Sequence, residues 1–326
     1  MVVVVLLFVV GLVFLIKGGD WFVDGATGIA RRFNLPEILI GATVVSIGTT
    51  LPEVMVSVTS ATRGLGDMAY GNAIGSIICN TALISALTFA IRPTEVDRKT
   101  FMIPVIFFFI AAAAFTVISY TVGYFSRTIG ICLLVLFVIY MAFTVYRAIK
   151  SSKNLPKLPE QEKTEQEKPH SLAKDVLLLV VGAALIAVGA KLLVDNGTKI
   201  AQALGVPDSV IALTMVALGT SLPELVTAIT ALAKGHGALS LGNIIGANLF
   251  NIVLVLGAST AIAPFSIPTA KTICGMNAAL VVDIPVMLLV MLLMTVPALI
   301  RQKLTRFQGI LLLAIYAGFC IFQFCF

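Results

Sequence analysis

Two carboxylates, each carried on the same six-residue peptide, are the groups in this chain best placed to do chemistry. Gly48-Thr49-Thr50-Leu51-Pro52-Glu53 recurs 171 positions later as Gly219-Thr220-Ser221-Leu222-Pro223-Glu224, and both copies lie inside strongly apolar runs. A carboxylate in such surroundings is costly unless a cation meets it. A proline in a membrane helix removes one amide donor and leaves the carbonyl four residues back, here Gly48 or Gly219, without its usual partner. Ser46, Thr49, Thr50 and Glu53 are spaced i, i+3, i+4 and i+7, which puts them on one helical face. Ser76 and Asn80 share a face one run further on, and the second half repeats the set as Ala217, Thr220, Ser221 and Glu224, then Ala247 and Asn251. Carboxylates, hydroxyls, amide oxygens and freed carbonyls make an oxygen-rich shell for a hard cation. Such a shell suits Ca²⁺, or Na⁺ with fewer oxygens, and it offers no sulfur or imidazole to a softer metal.

The elements that must position these residues are membrane helices. Of the 326 residues, 59% are hydrophobic and 12% charged, and the mean hydropathy is +1.05. A soluble domain is far more polar. Apolar runs near 2–32, 36–60, 68–91, 101–121, 126–148, 175–203, 206–233, 239–263, 280–299 and 306–325 predict ten spans. The first run has no basic n-region and no clear cleavage site, so it reads as a span and not as a signal peptide. Residues 150–174, rich in Lys, Glu, Gln, Ser and Pro, read as a solvated linker between a first five-helix half, 1–149, and a second, 175–326. The repeat extends beyond one peptide. At the same offset Asp24 meets Asp195, Thr43 meets Thr214, Gly71-Asn72 meets Gly242-Asn243, Gly75 meets Gly246 and Asn80 meets Asn251, with no gap. Five crossings per half start the second half on the opposite side. The expected fold is therefore an all-α membrane protein of ten transmembrane helices in two inverted repeats, with Glu53 and Glu224 converging near the midplane.

Basic residues orient the chain. The linker-side loops hold sixteen of them, from Arg31 and Arg32 to Arg301, Lys303 and Arg306, against Arg63, Arg127 and Lys271 on the other side, with Lys199 near that end. The expectation is a cytoplasmic linker and outward-facing termini, in the plasma (inner) membrane. The net charge of +6 is spread over short loops and is no nucleic-acid footprint. Cys79, Cys132, Cys274, Cys320 and Cys325 are odd in number, match no disulfide framework and read as inert buried thiols. His170 and His236 read as solvated loop residues that share no metal. Asp24 and Asp195 are expected near span ends as caps or interfacial groups, Asp283 as an interfacial cap, and Gly71, Gly75, Gly242 and Gly246 as close-packing positions.

With these residues in view the chain resembles the cation/calcium exchanger superfamily, in particular its prokaryotic sodium/calcium exchanger branch. GATVVSIGTTLPEVMVS at 41–57 with GNAIGSIICN at 71–80, and TMVALGTSLPELVTA at 214–228 with GNIIGANLFN at 242–251, look like that family's two alpha-repeats. The resemblance implies a Ca²⁺/Na⁺ antiporter with four cation positions in a diamond. Glu53 and Glu224 would hold Ca²⁺ with the carbonyls of Thr49 and Thr220. An inner Na⁺ position would use the Ser46 carbonyl, Thr49 or Thr50, Glu53 and Ser76. An outer one would use the Ala217 carbonyl, Thr220, Ser221 and Glu224, with Asn80 and Asn251 lining the middle. The long first and sixth spans would slide across the core. No cofactor, nucleic acid or protein partner is implied beyond the transported ions and the bilayer. Ala247 replaces a serine and Asn251 an acidic residue of some members, which weakens the outer Na⁺ position and makes K⁺ co-transport less expected. Proton/calcium exchange through the same two glutamates is the rival reading, and a cation channel is the rival from another class. A membrane-embedded enzyme is expected least, for want of a plausible nucleophile–base pair.

This topology is checked cheaply. In a cysteine-free background, a cysteine at Ser152 should resist a membrane-impermeant thiol reagent in intact cells, while one appended after Phe326 should react. Reaction of both would mean an even number of spans per half.

Overall fold

A bilayer offers the backbone no hydrogen-bond partners, so an apolar chain of this kind must satisfy its amides within helices. The computed structural model describes residues 1–154, 171–205, 219–269, 271–273 and 275–325. They are nearly all helical: α1 (Val2–Arg32), α2 (Glu37–Thr62), α3 (Gly66–Ile91), α4 (Arg98–Thr121), α5 (Arg127–Asn154), α6 (Leu172–Ala203), α7 (Leu222–Ala233), α8 (Gly237–Ile262), α9 (Ala279–Arg301) and α10 (Arg306–Cys325). Among the described residues nine of these are long and apolar enough to span a membrane. The exception is the 12-residue α7. It occupies the C-terminal part of the expected 206–233 run, whose residues 206–218 lie outside the described ones, as do residues 155–170 of the linker.

The internal repeat appears as matched pairs of contacts between the halves. Strands β1 (Thr94–Glu95) and β6 (Lys303–Leu304) pair antiparallel, as do β2 (Tyr124–Phe125) and β3 (Phe265–Ser266). Exchanging the halves turns β1 into β3 and β6 into β2, so each pair is the image of the other. The Arg306 guanidinium donates to the Ile91 carbonyl and that of Arg127 to the Ile262 carbonyl, again images of each other. The hairpin of β4 (Thr272–Ile273) and β5 (Met276–Asn277) has no first-half counterpart. It accounts for the lengthening of the offset from 171 between Arg92 and Ala263 to 179 between Arg127 and Arg306.

Helices α1 and α6 run antiparallel along a seam of small residues spaced by seven. A Cβ on Gly11 would lie 3.0 Å from the Gly189 carbonyl oxygen, one on Gly18 2.9 Å from that of Gly182, and one on Gly25 2.5 Å from that of Asp175. At the end of the seam Arg32 Nε reaches the buried Asp175 carboxylate at 3.4 Å. The main apolar core lies elsewhere, between α3, α4, α8 and α9, with Tyr70, Phe101, Phe108, Phe115 and Phe250 fully enclosed. Helix α4 is capped by Asp97, whose carboxylate accepts from the Thr100 hydroxyl at 2.6 Å and the Thr100 amide at 3.1 Å. Those bonds, the hydroxyl's first, hold the Asp97 carboxyl below its ordinary range.

Four sequence expectations change here. Asp283 caps no helix through its side chain; its carboxylate accepts from Gln323 Nε2 at 2.9 Å. Of the two alternatives for Asp24 and Asp195 the cap fails, since both sit inside α1 and α6; their half-exposed side chains pair with Lys234 and Lys191. His236 is not a solvated loop residue: its Nδ1 lies 2.8 Å from Glu37 Oε1, and its side chain is mostly buried. Of the cysteines, Cys79 is buried, Cys320 half-buried and Cys132 exposed, so the expectation of buried thiols fails at Cys132. Cys274, the Cys325 side chain and His170 lie outside what is described.

The close-packing reading holds for two of the four glycines. A Cβ on Gly242 would lie 2.2 Å from the Ile38 carbonyl oxygen, and one on Gly246 2.2 Å from Ser46 Oγ and 2.7 Å from the Ala42 backbone. Gly71 and Gly75 meet no atom within 4 Å among the described residues. Gly242→Ala must therefore push α2 from α8 and should cost about 1–3 kcal/mol, the usual range for overpacking. A thermal midpoint unchanged from the parent would contradict so close an approach of the two helices.

Candidate cation site

Glu53 and Glu224 meet at the centre of the molecule, on α2 and α7. Both are fully buried, and neither carboxylate oxygen has a hydrogen-bond partner. They lie close enough for each charge to act on the other, and the Thr49 hydroxyl lies beside Glu224. Three further oxygens of the sequence-derived set are equally unpaired: Thr50 Oγ1, Asn80 Oδ1 and Asn251 Oδ1 are buried without a partner. Orphaned acceptors at this density are rare in a native interior, and a missing cation is one of the accepted reasons for them.

Local helix geometry adds carbonyl oxygens. The chain widens into π turns at Gly41–Val45, immediately before Ser46, and at Asn80–Ser85 and Asn251–Leu256, each opened by a site asparagine. Such turns displace backbone carbonyls from the regular ladder and recur at functional sites. Pro52 sits inside a continuous helix, whereas Pro223 stands in the first turn of α7, after a turn at Thr220 and Ser221. The two copies of one peptide thus have different backbones.

The sequence-derived residues converge across the two halves. Ser221 Oγ donates to Ser76 Oγ at 3.4 Å. The Ser46 hydroxyl shares its proton between the Gly41 and Asn243 carbonyls at 2.8 and 3.0 Å, and its oxygen keeps its lone pairs. The Asn251 amide nitrogen donates to the Ala247 carbonyl at 3.0 Å. Ala217 lies outside the described residues. Above the site, Phe22 of α1 and Ala183 and Ile186 of α6 line a crevice with Gly48, Pro52 and Pro223.

Two residues outside the expected ligand set, Asn72 and Asn243, organise the crossing. Thr49 Oγ1 donates to Asn243 Oδ1, and Thr220 Oγ1 to Asn72 Oδ1, both at 3.2 Å. These bonds are images of one another, and each ties a threonine of one half to the asparagine of the other. Asn72 also donates to the Glu53 carbonyl at 3.3 Å and to Ser57 Oγ at 2.8 Å. Asn243 Nδ2 has no partner, because the position matching Ser57 is Ala228. Thr50 Oγ1 is orphaned for the same kind of reason: Ser221, its counterpart, bonds Ser76, but the counterpart of Ser76 is Ala247. The sequence signal for the asparagines was their place in the repeat, at the shared offset of 171.

Comparison with known proteins gives a consistent result. A family model described as sodium/calcium exchanger protein matches residues 3–146 and 174–325. The chain is 36% identical to an uncharacterized membrane protein, MJ0091, of Methanocaldococcus jannaschii over 95% of this chain and 94% of that one. It is 30% identical to the sodium/calcium exchanger MaX1 of Methanosarcina acetivorans over 98% of each. A solved structure of the sodium-calcium exchanger NCX_Mj, soaked with 2.5 mM Na⁺ and 10 mM Sr²⁺, superposes with a TM-score of 0.79 at 35% identity over 97% of each chain.

The asparagines generate a prediction. Asn243→Ala releases Thr49 and should weaken cation binding several-fold, in line with about 1 kcal/mol for one hydrogen bond, with little change in thermal midpoint. Asn72→Ala removes three bonds and should lower both. Calorimetric titration with Ca²⁺ and thermal unfolding check the split, and equal effects of the two variants would contradict it.

Proposed function

This chain belongs to the sodium/calcium exchanger family, and from that premise we propose that it exchanges Ca²⁺ for Na⁺ by alternating access, with Glu53 and Glu224 as the shared charge. The observation that carries this reading is the pair of buried, unpartnered carboxylates at repeat-related positions, in a chain whose other repeat oxygens Thr50 Oγ1, Asn80 Oδ1 and Asn251 Oδ1 are buried and unpaired as well. Two negative charges can be neutralised by one Ca²⁺ or by Na⁺ ions, but poorly by both together. An empty site leaves charge −2 in a medium that solvates it badly, so transit of the empty carrier is disfavoured. That penalty couples the two fluxes. Thr49, Thr50, Thr220, Ser221, Ser76, Asn80 and Asn251, with the carbonyls of Ser46 and Ala217, complete the shells. The chain resides in the plasma membrane with its linker cytoplasmic, and the exchange carries Ca²⁺ outward.

Proton/calcium exchange is kept as a second reading because of one observation. Ala247 leaves Thr50 Oγ1 without the hydroxyl partner that Ser76 gives Ser221, so one half offers Na⁺ fewer oxygens. Carboxylates can take protons in its place.

Ca²⁺ uptake into proteoliposomes at clamped pH separates the two readings: dependence on an imposed Na⁺ gradient is expected, and steep pH dependence without Na⁺ dependence would favour protons. Glu53→Gln or Glu224→Gln should abolish uptake while leaving a folded protein, and near-normal uptake by either would remove the site. Ala247→Ser supplies Thr50 with a partner and should raise apparent Na⁺ affinity several-fold, whereas Ser76→Ala should lower it.

A further inference from the structure

Among the described residues α1 and α6 are held differently at the two faces, and the charges along them mark the difference. On the linker face α1 rests on α7: a Cβ on Gly19 would lie 2.8 Å from Val226 and 2.9 Å from Thr230. Just beyond, Lys234 reaches back to α1, with Nζ 2.7 Å from Asp24 Oδ1, 3.5 Å from Asp20 Oδ1 and 3.0 Å from the Asp20 carbonyl.

Exchange of the halves gives each of these residues a counterpart at the shared offset: Lys234 becomes Arg63, Asp24 becomes Asp195 and Asp20 becomes Lys191. The matching contact on the termini face would join Arg63 at the end of α2 to Asp195 on α6. It is not made here. Asp195 pairs instead with Lys191 on its own helix at 3.1 Å, and among the described residues Arg63 has no ion-pair partner. The surface that α6 would cover is bare: Leu51 and Met55 are 51% and 67% exposed, whereas their counterparts Leu222 and Val226 are half-buried.

We propose that Lys234 with Asp20 and Asp24, and Arg63 with Asp195, are two alternately closed latches that hold the α1–α6 pair at the two ends of its travel. The proposal rests on the alternating-access reading given above. In a molecule built of inverted repeats the opposite-facing state follows by exchanging the conformations of the halves. Asp195 then leaves Lys191 for Arg63 while Lys234 releases α1. The latches are unequal. The linker-face latch offers one lysine two carboxylates, while the termini-face latch offers one arginine a single carboxylate with a lysine competing one turn away. The difference biases the resting protein toward the state seen here, closed on the linker face. All of these side chains are partly exposed, so the bias is modest and falls with salt.

The test uses the full-length protein in proteoliposomes, in a cysteine-free background. Paired cysteines at Arg63 and Asp195 should be joined by a short thiol cross-linker at low yield. Asp24→Asn, which weakens the linker-face latch, should raise that yield about two- to five-fold, the scale of one exposed ion pair. In the protein with Arg63 and Asp195 intact, Asp24→Asn should strengthen apparent Ca²⁺ affinity from the linker face and weaken it from the other by a similar factor. Arg63→Ala should do the reverse. A yield indifferent to Asp24→Asn, or affinities moving the same way on both faces, would overturn the latches. Uptake by the parent judges the exchange reading separately: a parent that carries no Ca²⁺ overturns that reading, and the cross-linking arm still decides the latches.

Discussion

Two carboxylates in a place that cannot solvate them set the terms for the rest of the structure. The carboxylate oxygens of Glu53 and Glu224 are buried without a hydrogen-bond partner, so on the proposed reading their charge is left for a bound cation to balance. Everything near them supplies oxygen or holds oxygen in place. The π turns displace carbonyls, the prolines withhold amide donors, and Asn72 and Asn243 take up hydroxyl protons of Thr220 and Thr49. A self-contained hydrogen-bond network would have been more stable without an ion and useless for carrying one. The incompleteness is a property of the site.

Much of this was legible in the sequence because a repeat in register is a geometric statement. The shared offset of Glu53 and Glu224, of Thr49 and Thr220 and of Asn80 and Asn251 already implied a symmetric arrangement around the midplane, and the length of the apolar runs implied the helices. The bonds that cross between halves were not legible. Helical spacing says which residues share a face, but not which face meets which. Asn72 and Asn243 stood in the aligned repeat, yet nothing in one strand of text says that each serves the other's half. The ion pairs were hidden for the same reason: Asp24 looked like an end-of-helix group until Lys234, 210 residues away, proved to be its partner.

The departures from symmetry share a simple chemical form. Ser46, Ser57 and Ser76 of the first half face alanine at positions 217, 228 and 247 of the second. Two of the orphaned polar atoms, Thr50 Oγ1 and Asn243 Nδ2, trace to two of these losses. A duplicated site has thereby become chemically two-sided. The halves share their carboxylates equally but not their hydroxyls, so on the exchange reading a monovalent ion that relies on neutral oxygens would meet a different environment in each half.

The glycine seam between α1 and α6 has a mechanical corollary. With backbone against backbone at Gly11 and Gly189 and again at Gly18 and Gly182, the two helices touch directly at both places and pack as one beam. On the alternating-access reading proposed above, a pair joined in this way cannot leave both entrances at once, because lifting it from one sets it down on the other. Leak-tightness is then a matter of carpentry: the two doors are a single plank, and no separate signal is needed to keep them from opening together.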